Sequence, residues 1–554
     1  TTALGGAAGL DTLPEVIDFV GFGSNASGYA GTAPAPGTTN ATSVSRSADH
    51  ANTADNAHDF TTGAPTPVAW ASTDPDPDPD PEPEPVAAVT IAEVQGTGNA
   101  SPLVGKTVST KGVVTAAYPN GGFGGYFIQT PGTGAIDLAT HTASDGLFVY
   151  SQATADSVAV GSYVQVTGAV SEFNGMTQIT VTSAADLVLL SDEVVAPTAA
   201  ALAWPGQDAQ RETLEGMLLA PQGDFTVSNT YSTNQYGEVG LASGTTPLRQ
   251  PTDVARPGSP EASAIAADNA ARAVVLDDGA STNFLSGSNS GLTPPWVSLT
   301  APVVVGAAVT FTDPVIVDYR NTTWKLNPTS TLSAATPADN PASFSNPRTT
   351  APAAVGGDLS IASFNVLNYF TTLGDQTASC VPYRDRAGNG VTVREGCAQR
   401  GAWSAADLQR QQDKIVAAIN ALDADVVGLM EIENSAALGE TADEATATLV
   451  GALNSAAGTK RWAFVPSSSE LPPAAEPDVI TNAIIYQVDA ATPVGKSRAL
   501  GTQSGADQAF GNAREPIGQA FAPAGGGANV LVVVNHFKSK GSAGPWPGDA
   551  DTGD

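Results

Sequence analysis

The segment Asp74–Pro85, DPDPDPDPEPEP, limits what this chain can fold into more than any other stretch does. Proline at every second position excludes helix and sheet ladders, and the like charges of the acidic residues repel each other. The segment is therefore predicted to be an extended spacer of about 37 Å, at about 3.1 Å per residue. Calcium binding is the alternative, but ligands on a stiff extended rod do not converge on one ion. We place a linker at residues 71–87, with separate folding units on its two sides.

The composition favours all-β, turn-rich domains. Glycine and proline number 57 and 40, and only 14% of the residues are charged. The chain has 554 residues, too many for one core, and should hold about three to five domains. Its net charge of −32 is typical of an extracellular or salt-adapted protein. This charge argues against a tight, sequence-specific nucleic-acid binder, but not against an enzyme that meets phosphate through metal ions.

Cysteine usage and the first residues bear on the cellular compartment. Cys380 and Cys397 are the two cysteines, and one disulfide between them fits an oxidising compartment better than a metal site, which would need more ligands. No run of about 18 apolar residues occurs, so no membrane span is predicted. The chain has no initiator Met and begins like the middle of a domain, so the missing export signal carries no information. We expect a secreted or cell-surface bacterial protein.

The stretches VIDFVGFGSNASGYAG and SVSRSADHANTADNAHDFTTGAPTP alternate short strands with Gly and Asn turns. They resemble the C-terminal half of a lamin-tail domain, which implies a partial immunoglobulin-like β-sandwich over residues 1–70. His50 and His58 lie in an Asp- and Asn-rich turn of this region, where a solvated turn is favoured over a metal site.

Residues 88–195 read as about five curved strands with Gly at the bends, which is typical of a small closed barrel. The strand order resembles the OB-fold modules of extracellular nucleases, and aromatic rings on such a module can stack with single-stranded nucleic acid. The candidate rings are Tyr126, Phe127, Phe148, Tyr150 and Phe173. A scaffold role is favoured, because half of these rings must face the core and only Lys106 and Lys111 supply positive charge. Residues 196–345 indicate an additional β-rich domain, and residues 346–357 a linker.

After this linker, strands alternate with helices. The apolar strand DLSIASFNVLNYF is followed by a polar loop and by a helix that Ser404 and Asp407 begin with a capping box. The buried strand VVGLMEIEN, a second helix at about 440–457 and further strands come next. The alternation predicts a separate α/β domain over residues 358–554.

Polar side chains are predicted to meet at the ends of these strands. Asn365 and Glu431 each end a strand, Arg514 lies in a turn, and His536 ends the last strand. An amide oxygen and a carboxylate are hard ligands that suit Mg²⁺ or Ca²⁺ rather than zinc. An arginine and a histidine suit a phosphodiester oxygen and the charge that develops on it. Each residue alone is more often structural, but the four together indicate phosphoryl chemistry.

The motifs SIASFNVLNYF, DADVVGLMEIEN, AREP and VVVNHFKSKG resemble the first four motif blocks of the endonuclease/exonuclease/phosphatase superfamily, to which deoxyribonuclease I belongs. They are most similar to the ExeM/NucH-type extracellular nucleases, which also carry lamin-tail and OB-fold modules. The resemblance implies a partial α/β sandwich of the deoxyribonuclease I-like type. It also implies a secreted phosphodiesterase that cleaves DNA, or alternatively RNA, with Mg²⁺ as cofactor and Ca²⁺ or Mn²⁺ as alternatives. No obligate protein partner is implied.

The same resemblance implies roles for single residues. Glu431 is the main metal-ligating carboxylate, and Asn365 is the amide beside it, bonded to the metal's waters or to the phosphate. Arg514 meets the phosphate near the scissile bond. His536 contacts the phosphate or acts as a general acid.

Three further residues receive binding roles, and two motif blocks are missing. Asn482 lies where some family members place a partner for the histidine, and Lys538 and Lys540 are expected to contact backbone phosphates. The family's Gly-Asp-x-Asn block, which orients the attacking water, does not occur in the chain. No histidine follows His536, so the family's terminal Asp-His pair, whose His is the usual general base, does not occur either. We therefore expect a chain truncated at both ends, with an incomplete and inactive nuclease domain.

Two other classes of function stay open. The same superfold hosts phosphomonoesterases and lipid phosphodiesterases, and the fold alone does not exclude them. A surface adhesion or matrix-binding protein with a relic catalytic domain would instead act through the β-modules. Cleavage of plasmid DNA would distinguish a nuclease from a phosphomonoesterase or a lipid phosphodiesterase. The presence of the missing motif blocks further along the gene would distinguish a nuclease from an adhesion protein.

Overall fold

The computed structural model of the protein describes residues 18–46, 51–66, 86–473, 478–504, 508, 510 and 513–537. The chain divides into two compact units, Thr1–Pro85 and Val86–Asp554. Among the described residues, strands in several separate sheets predominate over helices. The predicted spacer Asp74–Pro85 lies outside the described residues. Within the described ranges, no helix is both long enough and apolar enough to cross a membrane.

The first unit contains a small antiparallel sheet. Its elements are β1 (Ser43–Arg46), α1 (Asn56–Asp59) and β2 (Phe60–Gly63). The buried side chain of Asn56 holds two loops together, because its Oδ1 accepts hydrogen bonds from the backbone amides of Gly21 and Ala30. His58 is exposed, whereas His50 lies outside the described residues.

The second unit begins with a closed barrel. The elements of this region are β3 (Ala87–Ala88), α2 (Ile91–Gln95), β4 (Thr107–Tyr118), β5 (Gly125–Gln129), β6 (Gly146–Tyr150), β7 (Tyr163–Phe173), β8 (Met176–Thr180) and β9 (Leu187–Leu189). The strands follow the order β4–β5–β6–β8–β7, and β4 also pairs with β7, which closes the ring. Strand β4 reaches both neighbours because its first half, up to Val113, pairs with β7 and its second half pairs with β5. A side chain at Gly112 would prevent this bend, since a Cβ there would lie 2.9 Å from Ile128 Cβ.

Most of the candidate stacking rings are core residues. Tyr126, Phe127 and Phe148 are buried, in line with the expectation that about half of the five rings face the core. Tyr126 packs inside the barrel, whereas Phe127 and Phe148 lie on its outer side, in a cluster with Ile316 of the next sheet. Only Phe173, which is 54% exposed, and the partly buried Tyr150 remain accessible among the five. The second layer that buries this outer face could not be read from local alternation.

That next sheet has nine strands and packs on the barrel. Its elements are β10 (Ala200–Ala203), α3 (Asp208–Glu212), β11 (Leu218–Gln222), β12 (Phe225–Asn229), α4 (Thr233–Tyr236), β13 (Val239–Ser243), α5 (Pro251–Val254), α6 (Pro260–Arg272), β14 (Ala273–Leu276), β15 (Ala308–Phe311), β16 (Val315–Arg320), β17 (Thr323–Asn327) and β18 (Ala342–Phe344). The strand order is β10–β11–β16–β17–β14–β13–β12–β15–β18. Because barrel and sheet share a hydrophobic cluster, the two β-modules form one packed body.

Carboxylates gather where α3 meets the barrel, and one of them should make stability depend on pH. Burial, and then the charges of Glu172 and Asp208, raise the pKa of Glu212 to about 7 from 4.5. Between these values the folded state binds more protons than the unfolded state, so stability should fall as pH rises through this window.

We expect Glu212→Gln to reduce the fall in melting temperature between the two ends of the window. The exposed Glu193→Gln is the control, and an equal fall in both variants would contradict the prediction.

The α/β region consists of two stacked sheets with helices on one side. Its elements are β19 (Ile361–Tyr369), β20 (Val381–Arg384), β21 (Gly390–Glu395), α7 (Ala405–Leu422), β22 (Val426–Glu433), α8 (Glu444–Ala457), β23 (Trp462–Phe464), β24 (Ile480–Gln487), β25 (Ala491–Ala499), β26 (Arg514–Pro523) and β27 (Val530–His536). One sheet has the order β19–β22–β24–β23 and the other has the order β25–β26–β27. Strand β22 is covered on both faces: Val427 and Leu429 pack with α7 and α8, and Val426 packs with the second sheet. This double burial explains the continuous apolar run VVGLM. At Gly428 a Cβ would lie 2.6 Å from Val534 Cγ2, so glycine permits the close stacking of the sheets.

Several sequence predictions about this region are confirmed and others are corrected. The capping box of Ser404 and Asp407 begins α7 as predicted. Strand β19, however, does not end on Asn365 but continues to Tyr369, and Arg514 begins strand β26 instead of lying in a turn. The polar loop contains the hairpin β20–β21, and a disulfide joins Cys380 and Cys397, whose Cα atoms are 4.9 Å apart. Pairing with distant strands, which short patterns do not encode, extends β19 and β26.

Candidate active site

A β-bulge positions Glu431. Between the pairs that Leu429 and Ile432 make with β24, Met430 and Glu431 lie opposite the single residue Asn482. Leu429 and Ile432 both pack into the core beside the helices, which a strictly alternating strand would not allow for residues three positions apart. Glu431 itself has a φ of 62°, in the left-handed region that non-glycine residues rarely adopt. The bulge therefore leaves the Glu431 carboxylate outside both cores.

His536 meets Glu431 from the other sheet. The Nε2 atom of His536 lies 3.6 Å from Oε1 of Glu431, and the two side chains are 17% and 20% exposed. The Nδ1 atom of His536 is buried and has no hydrogen-bond partner among the described residues. Because β22 and β27 belong to different sheets, the stacking of the sheets brings this carboxylate and this imidazole together.

Arg514 completes a charged group at the same edge. It lies directly opposite His536 on the neighbouring strand β26, and its Nη2 is 3.0 Å from Oδ2 of Asp478. Asp478 also binds Arg400, with 2.8 Å between Oδ1 and Nη2. Sequence reasoning missed Asp478, although an acidic residue just before the strand ITNAIIY was a signal that could have been used. Its carboxylate links two arginines that are far apart in the chain.

The surroundings keep the imidazole neutral. Burial, followed by the positive charge of Arg514, lowers the pKa of His536, whereas Glu431 and Asp478 act in the opposite direction. The pKa therefore lies below the usual value of 6.5, and the free ring is neutral at neutral pH. An anion bound beside the ring would raise this pKa and favour the protonated form.

Asn482 joins the two sheets beside the site. Its side chain is buried, and Nδ2 donates a hydrogen bond of 2.9 Å to the backbone carbonyl of Glu515, next to Arg514. A bond between Asn482 and His536, which the family resemblance implies, is not among the hydrogen bonds of the described residues. The Oδ1 atom of Asn482 is buried without a partner in this part of the chain. It adjoins the bulge at Glu431 and is free to accept a hydrogen bond from a ligand.

Asn365 approaches from the neighbouring strand. It is exposed and pairs in register with Met430, so it lies beside the bulge. Strand β19 is also irregular here: Leu367 has a φ of 50°, and the Asn365 Oδ1 accepts a hydrogen bond of 2.8 Å from the Leu367 amide. The side chain of Gln411 on α7 donates to the carbonyls of Val366 and Leu367, which supports this distorted stretch.

A second carboxylate on β22 has a structural role that sequence reasoning missed. Glu433 is only 2% exposed, and its oxygens accept hydrogen bonds from the backbone and hydroxyl groups of Thr371 and Thr372 and from the hydroxyl of Ser435. These bonds fix the loop that follows β19. Although Glu431 and Glu433 are two residues apart, one faces the site and the other secures the scaffold.

The donor set fits Mg²⁺ better than a metal that needs a full protein cage. Among the described residues, no group of three or more His, Cys, Asp or Glu side chains is placed to hold a metal ion. Mg²⁺ needs only one or two carboxylates, because it keeps several waters. Glu431 supplies one carboxylate, and the unpartnered Oδ1 of Asn482 is suited to accept a hydrogen bond from such a water. The residues present therefore fit Mg²⁺.

The structure brings together most of the predicted site residues. Glu431 and His536 lie 3.6 Å apart, Arg514 pairs in register with His536, and Asn365 and Asn482 flank the bulge. Lys538 and Lys540 lie outside the described residues. A cavity of about 840 Å³ lies elsewhere, between the barrel and the nine-stranded sheet, and takes no part in this group. No protein-family model and no curated protein matches the chain.

Proposed function

We propose that the protein is a secreted, metal-dependent phosphodiesterase that hydrolyses DNA, with RNA as an alternative substrate. The observation that carries this proposal is the meeting of Glu431 and His536 across two stacked sheets, with Arg514 on the adjacent strand. Phosphoryl chemistry needs a carboxylate that binds a hard cation, a cationic group that binds phosphate, and a titratable ring that transfers a proton. Glu431, Arg514 and His536 supply these three groups.

Each residue has a separate task in the proposed reaction. Glu431 would hold Mg²⁺, with Asn365 and Asn482 beside it, and the bound ion would supply charge stabilisation on the phosphate and the leaving oxygen. Arg514, fixed by Asp478, would orient the phosphate through its unpartnered Nε. His536 would gain a proton as the anionic substrate raises its pKa, and would then donate that proton to the leaving oxygen.

The proposal extends to the module types. For the barrel, the closed order β4–β5–β6–β8–β7 supports an OB-fold type. For the last region, two stacked sheets with helices on the outer face of one support a partial deoxyribonuclease I-like sandwich. For the first unit, the strand pair β1–β2 is compatible with a partial lamin-tail sandwich, for which the motifs quoted above are the main support.

The test is a nuclease assay on the full-length gene product. We expect supercoiled plasmid to be nicked in Mg²⁺, and EDTA to abolish the cleavage, because the ion carries the charge stabilisation. A parallel assay with p-nitrophenyl phosphate should release no phosphate. Phosphate release without nicking would indicate a phosphomonoesterase. If neither substrate were hydrolysed, a protein that acts in adhesion would be the better explanation. Each of these two results would overturn the proposal.

A further inference from the structure

A groove of about 540 Å³ opens beside the candidate active site. It lies between the disulfide-linked hairpin β20–β21 and helix α7, and Asn365 is one of its lining residues. We call it the hairpin groove; it is lined by Asn365, Tyr383, Thr392, Arg400, Arg410 and Lys414, among others. Its position makes it continuous with the site, because Asn365 belongs to both and Arg400 shares the Asp478 carboxylate with Arg514.

The charge of this region is opposite to that of the chain as a whole. Residues 380–414 contain six basic and four acidic side chains, a net charge of +2, whereas the whole chain carries −32. A locally positive groove in a strongly acidic protein concentrates anionic ligands at one place and repels them elsewhere. The charge distribution therefore selects a polyanion as the occupant of this groove.

The basic side chains in the groove are accessible. Lys414 is exposed and forms no ion pair among the described residues. Arg410 is 63% exposed at its side chain, although it also pairs with Asp407 at the start of α7. Asp407 is only 6% exposed, but it also accepts hydrogen bonds from the backbone amide and the hydroxyl of Ser404, so it keeps these partners when the Arg410 guanidinium turns to a phosphate.

Aromatic and aliphatic surface accompanies these charges. The ring of Tyr383 is 57% exposed on the hairpin, and Leu367 is 73% exposed at the rim. Exposed rings beside cations are the combination that binds single-stranded nucleic acid, since bases stack on the ring while phosphates meet the cations. A free phosphate or a small anion would use the cations but not the ring.

The hairpin is held firmly enough to act as a wall of the groove. The disulfide between Cys380 and Cys397 closes it, and β20 pairs with β21. The Val393 amide and the Thr392 hydroxyl both donate to the Gly401 carbonyl, which ties the hairpin to the segment before α7. The groove is thus preformed, and binding requires little ordering of the chain.

We propose that the hairpin groove binds a single strand of nucleic acid next to the scissile phosphate, with Arg410 and Lys414 on backbone phosphates and Tyr383 on a base. The proposal rests on the proposed function, since it takes the Glu431–His536 group as the place of cleavage. It assigns substrate positioning to the disulfide-linked hairpin and to α7.

Binding can be tested without catalysis. We would titrate the chain into a fluorescein-labelled single-stranded DNA oligonucleotide in EDTA and measure fluorescence anisotropy over a series of salt concentrations. The double variant Arg410→Gln/Lys414→Gln should raise Kd several-fold. It should also reduce the slope of log K against log salt by about 1.4, for two lost contacts at about 0.7 each. Tyr383→Ala should raise Kd without changing the slope.

The matched control is Lys460→Gln/Lys496→Gln, which removes the same charge at two exposed positions that do not line the groove and should leave Kd and slope near those of the wild type. Circular dichroism would verify that all variants are folded. Equal Kd values for wild type and groove variant, or an equal loss of affinity in the control variant, would overturn the proposal that the hairpin groove binds nucleic acid. Stronger binding of duplex than of single strand would overturn the single-strand assignment. Plasmid nicking is measured in a separate experiment. A failure of the proposed nuclease activity can therefore be distinguished from a failure of nucleic-acid binding in the hairpin groove.

Discussion

Replacing Glu431 with Gln should lower the rate of plasmid cleavage by the full-length gene product on the order of 10³-fold, with little change in melting temperature. The amide keeps the size of the side chain but removes the negative charge that would hold Mg²⁺. No described hydrogen bond of the scaffold involves the Glu431 carboxylate, whose described partner is His536 at 3.6 Å. Stability should therefore be preserved while chemistry is lost.

Initial nicking rates measured over a titration of Mg²⁺ provide the check. Glu440→Gln is the control, because Glu440 is exposed at some distance along the chain and carries the same charge. A Glu431→Gln enzyme that regained wild-type activity at saturating Mg²⁺ would show only weakened affinity, and one with normal activity throughout would remove Glu431 from the site.

Glu433→Ala, in contrast to Glu431→Gln, should act mainly through a large loss of stability. The substitution leaves the partly buried amides and hydroxyls of Thr371 and Thr372 without their carboxylate acceptor. Because each hydrogen bond to a charged group contributes about 1.5–3 kcal/mol, the free energy of unfolding should fall by about 3 kcal/mol or more. The α/β region would lose this stability through the loop after β19, and activity would decline with the folded fraction.

Urea unfolding followed by tryptophan fluorescence measures this loss, since Trp462 is fully buried in the same core. The Glu431→Gln variant serves as the internal comparison: the two substitutions lie two residues apart on one strand and should separate chemistry from stability. An unchanged unfolding midpoint for Glu433→Ala would mean that the hydrogen bonds to the threonines contribute little.

Some features were readable from the sequence because they are local. The capping box at Ser404, the amphipathic helix that follows it and the apolar strands on both sides depend on neighbours within a few residues. Glu431 and His536 could be proposed as site residues because each lies near the end of such a strand. The resemblance of the quoted motifs added the chemistry, which remains a proposal.

Other features depend on contacts between segments that are far apart. The bulge at Glu431 exists only in the register of β22 against β24, and Asp478 joins Arg400 to Arg514 only once three elements are packed. Likewise, Phe127 and Phe148 are buried because a second sheet covers the barrel. The sequence by itself thus determined the capping box, the amphipathic helix and the apolar strands, but not where each strand begins or ends. Tertiary structure decided which side chains meet, because sheet register and sheet stacking are set by long-range packing that no short pattern encodes.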